Sequence, residues 1–129
     1  RAKSLEDHLN LYNRIDIALD TFPYNGTTTS FEAIWMGVPV LTLKGFNYQS
    51  RCGESINKNL GLDGLISNNI KDYISKANYL AFNKEKLQQL RNDIFTKAIS
   101  SSLFDTSSFS NNFYSTLERV YEDKFLKKN

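Results

Sequence analysis

The sequence has few of the residues that support disulfide, metal or thiol chemistry. Its 129 residues include one cysteine, Cys52, and one histidine, His8. A single cysteine excludes an intrachain disulfide, and so few histidines and cysteines argue against a metal site or a Cys–His nucleophile pair. The sequence also shows no secretion signal. A reducing compartment fits these features best, and we expect a cytoplasmic protein.

Long apolar runs and an excess of charge of one sign are also missing. The 16 basic and 14 acidic residues leave a net charge of +2. This bias is too small to suggest nucleic acid or an acidic membrane surface as a partner. No apolar stretch approaches the roughly 18 residues that read as a membrane span. Hydrophobic residues make up 40% of the chain, and the length favours a single domain over residues 1–129.

The first half of the sequence alternates short apolar runs with helical patterns. Apolar runs at 17–22, 38–43 and 64–67 predict three strands, the first of them buried. Such alternation predicts an α/β fold with a parallel sheet and right-handed crossovers. From Asn69 onward the pattern is helical and predicts a C-terminal helical cover. Its last helix is predicted to bury one apolar face: Phe109, Phe113, Leu117, Val120, Tyr121 and Phe125.

Three strands are few for an open parallel sheet, where about four to six are usual. The predicted strand at 17–22 is therefore expected to have an unpaired edge. We expect its missing neighbours to lie upstream in a longer protein, in line with a first residue, Arg1, that is not methionine. An isolated chain should then self-associate through that edge or be only marginally stable.

The most informative segment follows the first predicted strand. Residues Asn25–Glu32 read NGTTTSFE: a glycine turn, several hydroxyl residues and then an acidic residue at the start of a helix. A strand-to-helix junction offers backbone N–H groups and the positive end of a helix dipole to an anion. Thr28 and Thr29 suit phosphate oxygens, and Glu32 suits sugar hydroxyls. The same residues also fit a capping box, with Thr29 as N-cap and Glu32 three positions later; local pattern alone favours that cap.

Other residues give weaker signals. Asp20, Thr42 and Lys44 lie at or near predicted strand ends, as in a phospho-acceptor receiver domain, but the acidic pair that would hold Mg²⁺ is missing. The sequence has neither a Walker A motif nor G-x-G-x-x-G. A lone histidine on a helix, such as His8, is usually structural or solvated. Arg51 opens a predicted helix and could contact an anion or form a surface salt bridge.

The motif-bearing stretch resembles a known family. Residues 16–43, DIALDTFPYNGTTTSFEAIWMGVPVLTL, closely resemble the catalytic domain of O-linked N-acetylglucosamine transferases, above all bacterial members that carry tetratricopeptide repeats. The similarity continues at 50–51, 60–62 and 100–105, so it covers nearly the whole chain. It implies a GT-B glycosyltransferase with two Rossmann-like halves and an active site in the cleft. This chain is similar to the later part of the C-terminal, donor-binding half.

The resemblance also implies roles for individual residues. The positions matching Thr28 and Thr29 bind the UDP diphosphate, the one matching Glu32 contacts the ribose, and His8 falls on a family histidine beside the nucleotide. Thr27 agrees with bacterial members, whereas animal members carry histidine there. Cys52 replaces a small apolar residue, and we expect it to be buried and inert. The implied UDP-binding residues are His8, Gly26, Thr27, Thr28, Thr29 and Glu32.

Other parts of the family's machinery are missing from the sequence. The catalytic groups of the N-terminal half and an upstream glutamine and lysine that contact the diphosphate are absent. The resemblance thus implies the UDP-GlcNAc-binding part of an enzyme that glycosylates Ser/Thr hydroxyls of proteins, without a cofactor or metal because cationic groups and a helix dipole can balance the diphosphate. We expect the isolated chain to bind UDP weakly and to transfer nothing.

Two alternatives stay open at this point. Related enzymes transfer glucose or fucose, so the parent protein could use another donor sugar or another acceptor. The chain could also be a non-catalytic α/β interaction domain, in which the threonine-rich loop only caps a helix. The position of the Glu32 carboxylate separates the cap from the ligand site, because the two roles compete for the same oxygen atoms.

Overall fold

A short parallel sheet forms the centre of the molecule. The structure is a computed structural model that describes residues 4–126. Three strands pair in parallel in the order β1-β2-β3: β1 is Ala18–Leu19, β2 is Val40–Leu43 and β3 is Ile66–Ser67. The chain connects them through helices, as a parallel sheet requires. The predicted α/β class, a partial Rossmann-like fold with three parallel strands, is confirmed.

Six α-helices accompany the sheet within residues 4–126. The helix α2 connects β1 to β2, α3 connects β2 to β3, and α4 to α6 follow the sheet. Short 3-10 turns at Leu11–Arg14, Tyr48–Ser50 and Asp63–Leu65 link the other elements. The helices are α1 (Leu5–Asn10), α2 (Thr28–Trp35), α3 (Cys52–Asn59), α4 (Ile70–Phe82), α5 (Lys84–Ile99) and α6 (Thr106–Tyr121).

The central strand and the edge strand differ in burial. All four residues of β2 are buried, because helices cover both faces of a parallel sheet. The first strand is shorter than the predicted 17–22, and Leu19 is 58% exposed. The prediction of a buried first strand is therefore wrong. Within the described residues β1 pairs only with β2, so its other side has no neighbour to extend or cover it.

The hydrophobic core lies between α2, the region of β2, and α5. Ile34 on α2, Val38 before β2, and Ile94 on α5 are each 0% exposed. They pack in one cluster together with Leu60 and Leu80. Burying side chains of this size stabilises the folded state by about 1.5–3 kcal/mol each. This cluster positions the start of α2, because it fixes the apolar face of that helix against β2.

The last helix does not match its prediction. No residue of α6 is buried, and Phe109 and Phe113 are 69% and 51% exposed. An apolar stripe on a helix shows that one face seeks a partner, but the stripe does not identify that partner. The predicted burial is wrong for the whole set: Phe109, Phe113, Leu117, Val120, Tyr121 and Phe125.

Candidate functional site

The loop between β1 and α2 is held by buried polar contacts. The N–H of Gly26 donates to Oδ1 of Asp20 at 2.7 Å, and Oδ2 of Asp20 accepts from the Thr42 hydroxyl at 2.8 Å. The Ser30 hydroxyl donates to the carbonyl oxygen of Gly26 at 3.0 Å. A Cβ atom on Gly26 would lie 2.6 Å from Oγ1 of Thr29. Gly26 therefore serves close packing of the loop, and its N–H is already engaged within the protein.

Asn25 ties the same loop to its neighbours. It is 2% exposed, its backbone N–H donates to the Gln49 carbonyl at 2.9 Å, and its side-chain amide donates to the Thr21 carbonyl at 2.8 Å. The N–H of Gly53 donates to Oδ1 of Asn25 at 3.3 Å. Since a buried amide with all these partners is costly to displace, the loop is fixed before any ligand arrives.

The start of α2 is open to an anion. The N-cap residue is Thr27, and no side chain among the described residues caps the helix. Thr27, Thr28 and Thr29 are exposed. The first N–H groups of a helix have no acceptor within it, and the helix dipole favours an anion there by about 0.3–1 kcal/mol at an exposed site. The predicted capping box of Thr29 and Glu32 is wrong, because the N-cap is Thr27, two residues earlier, and Glu32 bonds elsewhere.

The Glu32 carboxylate contacts α1 and the turn that follows it. Oε2 of Glu32 lies 3.0 Å from Nε2 of His8 and accepts from the Tyr12 hydroxyl at 3.0 Å. The rings of His8 and Tyr12 meet edge to face, with centroids 5.8 Å apart. The structure thus brings His8 and Glu32 together at the open end of α2. A capping box requires the carboxylate to fold back and accept a hydrogen bond from the backbone of its own helix. The Glu32 carboxylate does not do this.

The pKa shifts of Glu32 and Tyr12 favour a charged acceptor beside a neutral donor. The His8 hydrogen bond lowers the pKa of Glu32, burial opposes it, and the Tyr12 hydroxyl lowers it further. Burial raises the pKa of Tyr12 to about 12, helped by the adjacent Glu32 carboxylate. At neutral pH Glu32 is therefore an anion and Tyr12 a neutral donor.

A groove of about 340 Å³ adjoins the loop and runs along β1. Tyr12 and Thr29 line it beside the cluster, and Ile17 and Leu19 line it along the strand. A groove beside the carboxyl end of a strand is where open α/β folds bind ligands. The groove therefore places a concave surface next to the unpartnered N–H groups of α2.

Tyr12 was not assigned to this site by the sequence analysis, and Asp20 was considered only as a strand-end carboxylate of a receiver-type domain. Tyr12 lies four positions after His8, a spacing that puts two side chains on one side of a helical segment, and this signal could have revealed the pair. Asp20 lies inside the apolar run 17–22, where a partly buried carboxylate needs hydrogen-bond donors. Its donors are the N–H of Gly26 in the loop and the Thr42 hydroxyl. Lys44 does not join this contact and lies 3.2 Å from Glu54.

Glu54 organises the basic residues near the end of β2. It is 3% exposed, and Arg51, Lys58 and Lys44 lie 2.8, 3.0 and 3.2 Å from its carboxylate. Burial raises the pKa of Glu54, but the three cations outweigh it and hold the value at about 2. Arg51 therefore forms a salt bridge. Cys52 is half-buried, with Sγ 3.4 Å from the Tyr48 carbonyl oxygen, so the expectation of a buried thiol is wrong.

Residues 4–126 show neither of two further features, a membrane span and a cluster of metal ligands. In that part of the chain no helix combines the length and the apolar character needed to cross a bilayer. No group of three or more His, Cys, Asp and Glu side chains there lies close enough to hold a metal ion.

Comparisons with known proteins match nearly the whole chain. A model of glycosyl transferase family 41 matches residues 2–113. The chain is 38% identical over 121 residues to the probable UDP-N-acetylglucosamine–peptide N-acetylglucosaminyltransferase SPINDLY of Solanum lycopersicum, covering 94% of this chain and 13% of that protein. It is 36% identical over 116 residues to the probable enzyme SEC of Arabidopsis thaliana, covering 89% of this chain and 12% of that protein.

A solved structure gives the same result. A mutant of the O-GlcNAc transferase of Thermobaculum terrenum superposes with a TM-score of 0.86 at 39% identity, over 93% of this chain and 23% of that chain. The relatives are thus both bacterial and plant proteins, and this chain spans a small part of each. Because the family model and these relatives match most of its residues, the chain belongs to glycosyl transferase family 41.

Proposed function

We propose that this chain binds the UDP moiety of UDP-GlcNAc, as part of an enzyme that transfers N-acetylglucosamine to Ser/Thr hydroxyls of proteins. The observation that carries the proposal is the open N-terminus of α2, with a charged Glu32 one turn further along it. A nucleoside diphosphate presents the complementary groups, phosphates for the N–H groups and a ribose diol for the carboxylate. The names of the relatives in the two plants and the bacterium point to the same donor sugar.

In this proposal each part of the site binds one part of UDP. The N–H and hydroxyl groups of Thr27, Thr28 and Thr29 hold the diphosphate, helped by the helix dipole and without a metal ion. Glu32 accepts from the ribose hydroxyls, and His8 borders the nucleoside. Gly26 shapes the loop, since its own N–H already binds Asp20.

Residues 1–129 form, in this proposal, one domain within the donor-binding half of a GT-B enzyme. The chain spans only 13% of its SPINDLY relative, and we propose that the groups that activate the acceptor hydroxyl lie in an upstream half of the parent protein. Tetratricopeptide repeats are proposed as a further upstream partner, and the cytoplasm as the location. An isolated chain would bind UDP weakly, transfer no sugar, and self-associate through the unpaired side of β1.

Nuclear magnetic resonance tests the nucleotide site directly. UDP is titrated into the isotope-labelled chain to millimolar concentration. We expect shifts confined to 26–32 and His8, and an affinity about three- to tenfold lower in Thr28→Ala and Thr29→Ala, since each loses polar contacts to a charged group. Thr96→Ala, on the exposed side of α5, is the matched control. A folded chain that shows no shifts would refute the proposal and favour a non-catalytic interaction domain.

The donor sugar needs the complete parent protein. A panel of UDP-sugars and one GDP-sugar, assayed with a Ser/Thr peptide, should give transfer from UDP-GlcNAc above the others. Faster transfer from a different UDP-sugar would correct the sugar and leave the UDP site of this chain intact, because the proposed contacts are to phosphate, ribose and base. Faster transfer from the GDP-sugar would overturn the assignment of UDP.

A further inference from the structure

Tyr12 occupies an unusual place beside the proposed nucleotide site. Its side chain is 8% exposed and packs in the hydrophobic core, yet its hydroxyl reaches Oε2 of Glu32 at 3.0 Å. The same hydroxyl lies 3.4 Å from the carbonyl oxygen of Thr29, within the loop proposed to bind phosphate. Tyr12 thus connects the core to both halves of the site without being exposed itself.

The two donors on Glu32 both use one oxygen atom. His8 and Tyr12 each contact Oε2, and no described residue donates a hydrogen bond to Oε1. A carboxylate oxygen has two lone pairs, so Oε2 is saturated and Oε1 keeps its full capacity to accept. The arrangement therefore turns one oxygen toward the protein and leaves the other for a ligand.

The two donors differ in how firmly they are held. The side chain of His8 is 41% exposed, whereas Tyr12 is buried and fixed by core packing. A free glutamate side chain loses up to about 2 kcal/mol of conformational entropy when it is ordered. A rigid donor that orders the carboxylate beforehand removes part of this cost from ligand binding.

We propose that Tyr12 is a positioning residue for Glu32: its hydroxyl holds Oε2 so that Oε1 is presented to a ribose hydroxyl of the nucleotide. This inference rests on the proposed UDP site and extends it to a residue that does not itself contact the ligand. The 3.4 Å contact with the Thr29 carbonyl oxygen is long for an O–H···O hydrogen bond. The proposed role of Tyr12 therefore runs through the carboxylate, and its effect depends on the ribose hydroxyls and not on the phosphates.

The test compares two ligands on two proteins. UDP and 2′,3′-dideoxy-UDP, which lacks the ribose hydroxyls, are titrated into the wild-type chain and into Tyr12→Phe. We expect Tyr12→Phe to bind UDP about fivefold more weakly, the effect of one hydrogen bond, and to bind the dideoxy nucleotide as the wild type does. Tyr79→Phe, a hydroxyl deletion on α4 away from the site, should change neither affinity.

A second measurement needs no ligand. The carboxyl carbon of Glu32 is followed by NMR against pH, and its midpoint should be higher in Tyr12→Phe because a donor to the anion has been lost. An unchanged midpoint, or equal binding of UDP by both proteins, would overturn the role of Tyr12 and spare the UDP site. Equal weakening of both nucleotides would make Tyr12 a structural residue only. If the folded wild type binds neither nucleotide, the proposed function fails as well.

Discussion

The core around β2 and the helix α6 have similar sequence patterns and opposite environments. Ile34 and Ile94, on α2 and α5, are 0% exposed, whereas Phe109 and Phe113 on α6 are 69% and 51% exposed. In both regions apolar side chains recur at helical spacing. The difference lies in what faces them, because α2 and α5 pack into one core cluster and α6 packs none of its residues into a core.

The comparison shows which half of the chain carries its folding energy. Hydrophobic stabilisation follows the apolar area removed from water, at about 25 cal/mol per Å². The region of β2 buries whole side chains, and the loop that bears the proposed nucleotide site is bonded to this buried region through Asp20 and Thr42. The site should therefore be as stable as the core, whereas changes on α6 should leave it intact.

Truncation of the core should give the largest effect. We expect Ile34→Ala to lower the free energy of unfolding by about 2–5 kcal/mol, because it removes buried methyl groups and leaves a cavity. The measurement is urea unfolding followed by circular dichroism. Where Ile34→Ala does not fold, Ile34→Val should lose about 0.5–1.5 kcal/mol. A loss near zero for both variants would contradict the packing of α2 on β2.

The sequence predicts the core well because local chemistry decides it. Gly37 and Gly61 directly follow the last turns of α2 and α3, and both adopt positive φ angles, 73° and 64°, where a residue without Cβ is favoured. Ser4 and Asn69 are residue types that favour the N-cap position, and the side chain of each accepts an N–H from the first turn of its helix. Apolar runs likewise predicted three strands, although the observed edge strand covers only Ala18–Leu19.

The sequence predicts the site and α6 less well because distant residues decide them. Glu32 fits a local capping box, but its actual partners, His8 and Tyr12, lie 24 and 20 positions away. The sequence pattern of one helix cannot show whether Glu32 caps that helix or accepts hydrogen bonds from two donors on another element. For the same reason the stripe that includes Phe113 predicts a buried face, and no local signal reveals that nothing in the described chain covers it.

Acid should weaken the buried region and not α6. The pKa of Glu54 is lowered from 4.5 to about 2 in the folded state, so its contribution is complete above the unfolded value and is lost as pH falls from 4.5 toward 2. We expect a loss of about 2–3 kcal/mol over this range, measured by urea unfolding at pH 6, 4 and 2.

The matched variants for this titration are Glu54→Gln and Glu118→Gln. The first should remove most of the acid-dependent loss, because the group that titrates is gone. Glu118 lies on exposed α6, and its replacement should leave the pH profile as in the wild type. Equal acid sensitivity of all three proteins would contradict the role of the Glu54 cluster.

The same substitution, threonine to valine, compares the support of the loop with the exposed helix α6. Thr42 is 0% exposed and donates to Asp20 at 2.8 Å. Thr42→Val keeps the shape of the side chain but leaves a partly buried carboxylate oxygen of Asp20 without its donor, which should cost about 1–3 kcal/mol. Thr116→Val on exposed α6 should change stability by less than about 0.5 kcal/mol. The free energy of unfolding is measured by urea unfolding. Equal losses at the two positions would contradict the role of Thr42 in supporting the loop.

The smallest effect is expected on the apolar stripe of α6. Phe113 stacks on Phe109 at 6.1 Å, a contact within one helix, so Phe113→Ser should cost no more than about 0.5–1 kcal/mol. Urea unfolding at two protein concentrations provides the check. A cost above about 2 kcal/mol would be typical of a side chain buried in solution. If that larger cost disappeared on dilution, a second copy of the chain would be covering the stripe, because only an intermolecular contact weakens on dilution. A large cost at both concentrations would instead place α6 against the body of its own chain and contradict the contrast with the core around β2.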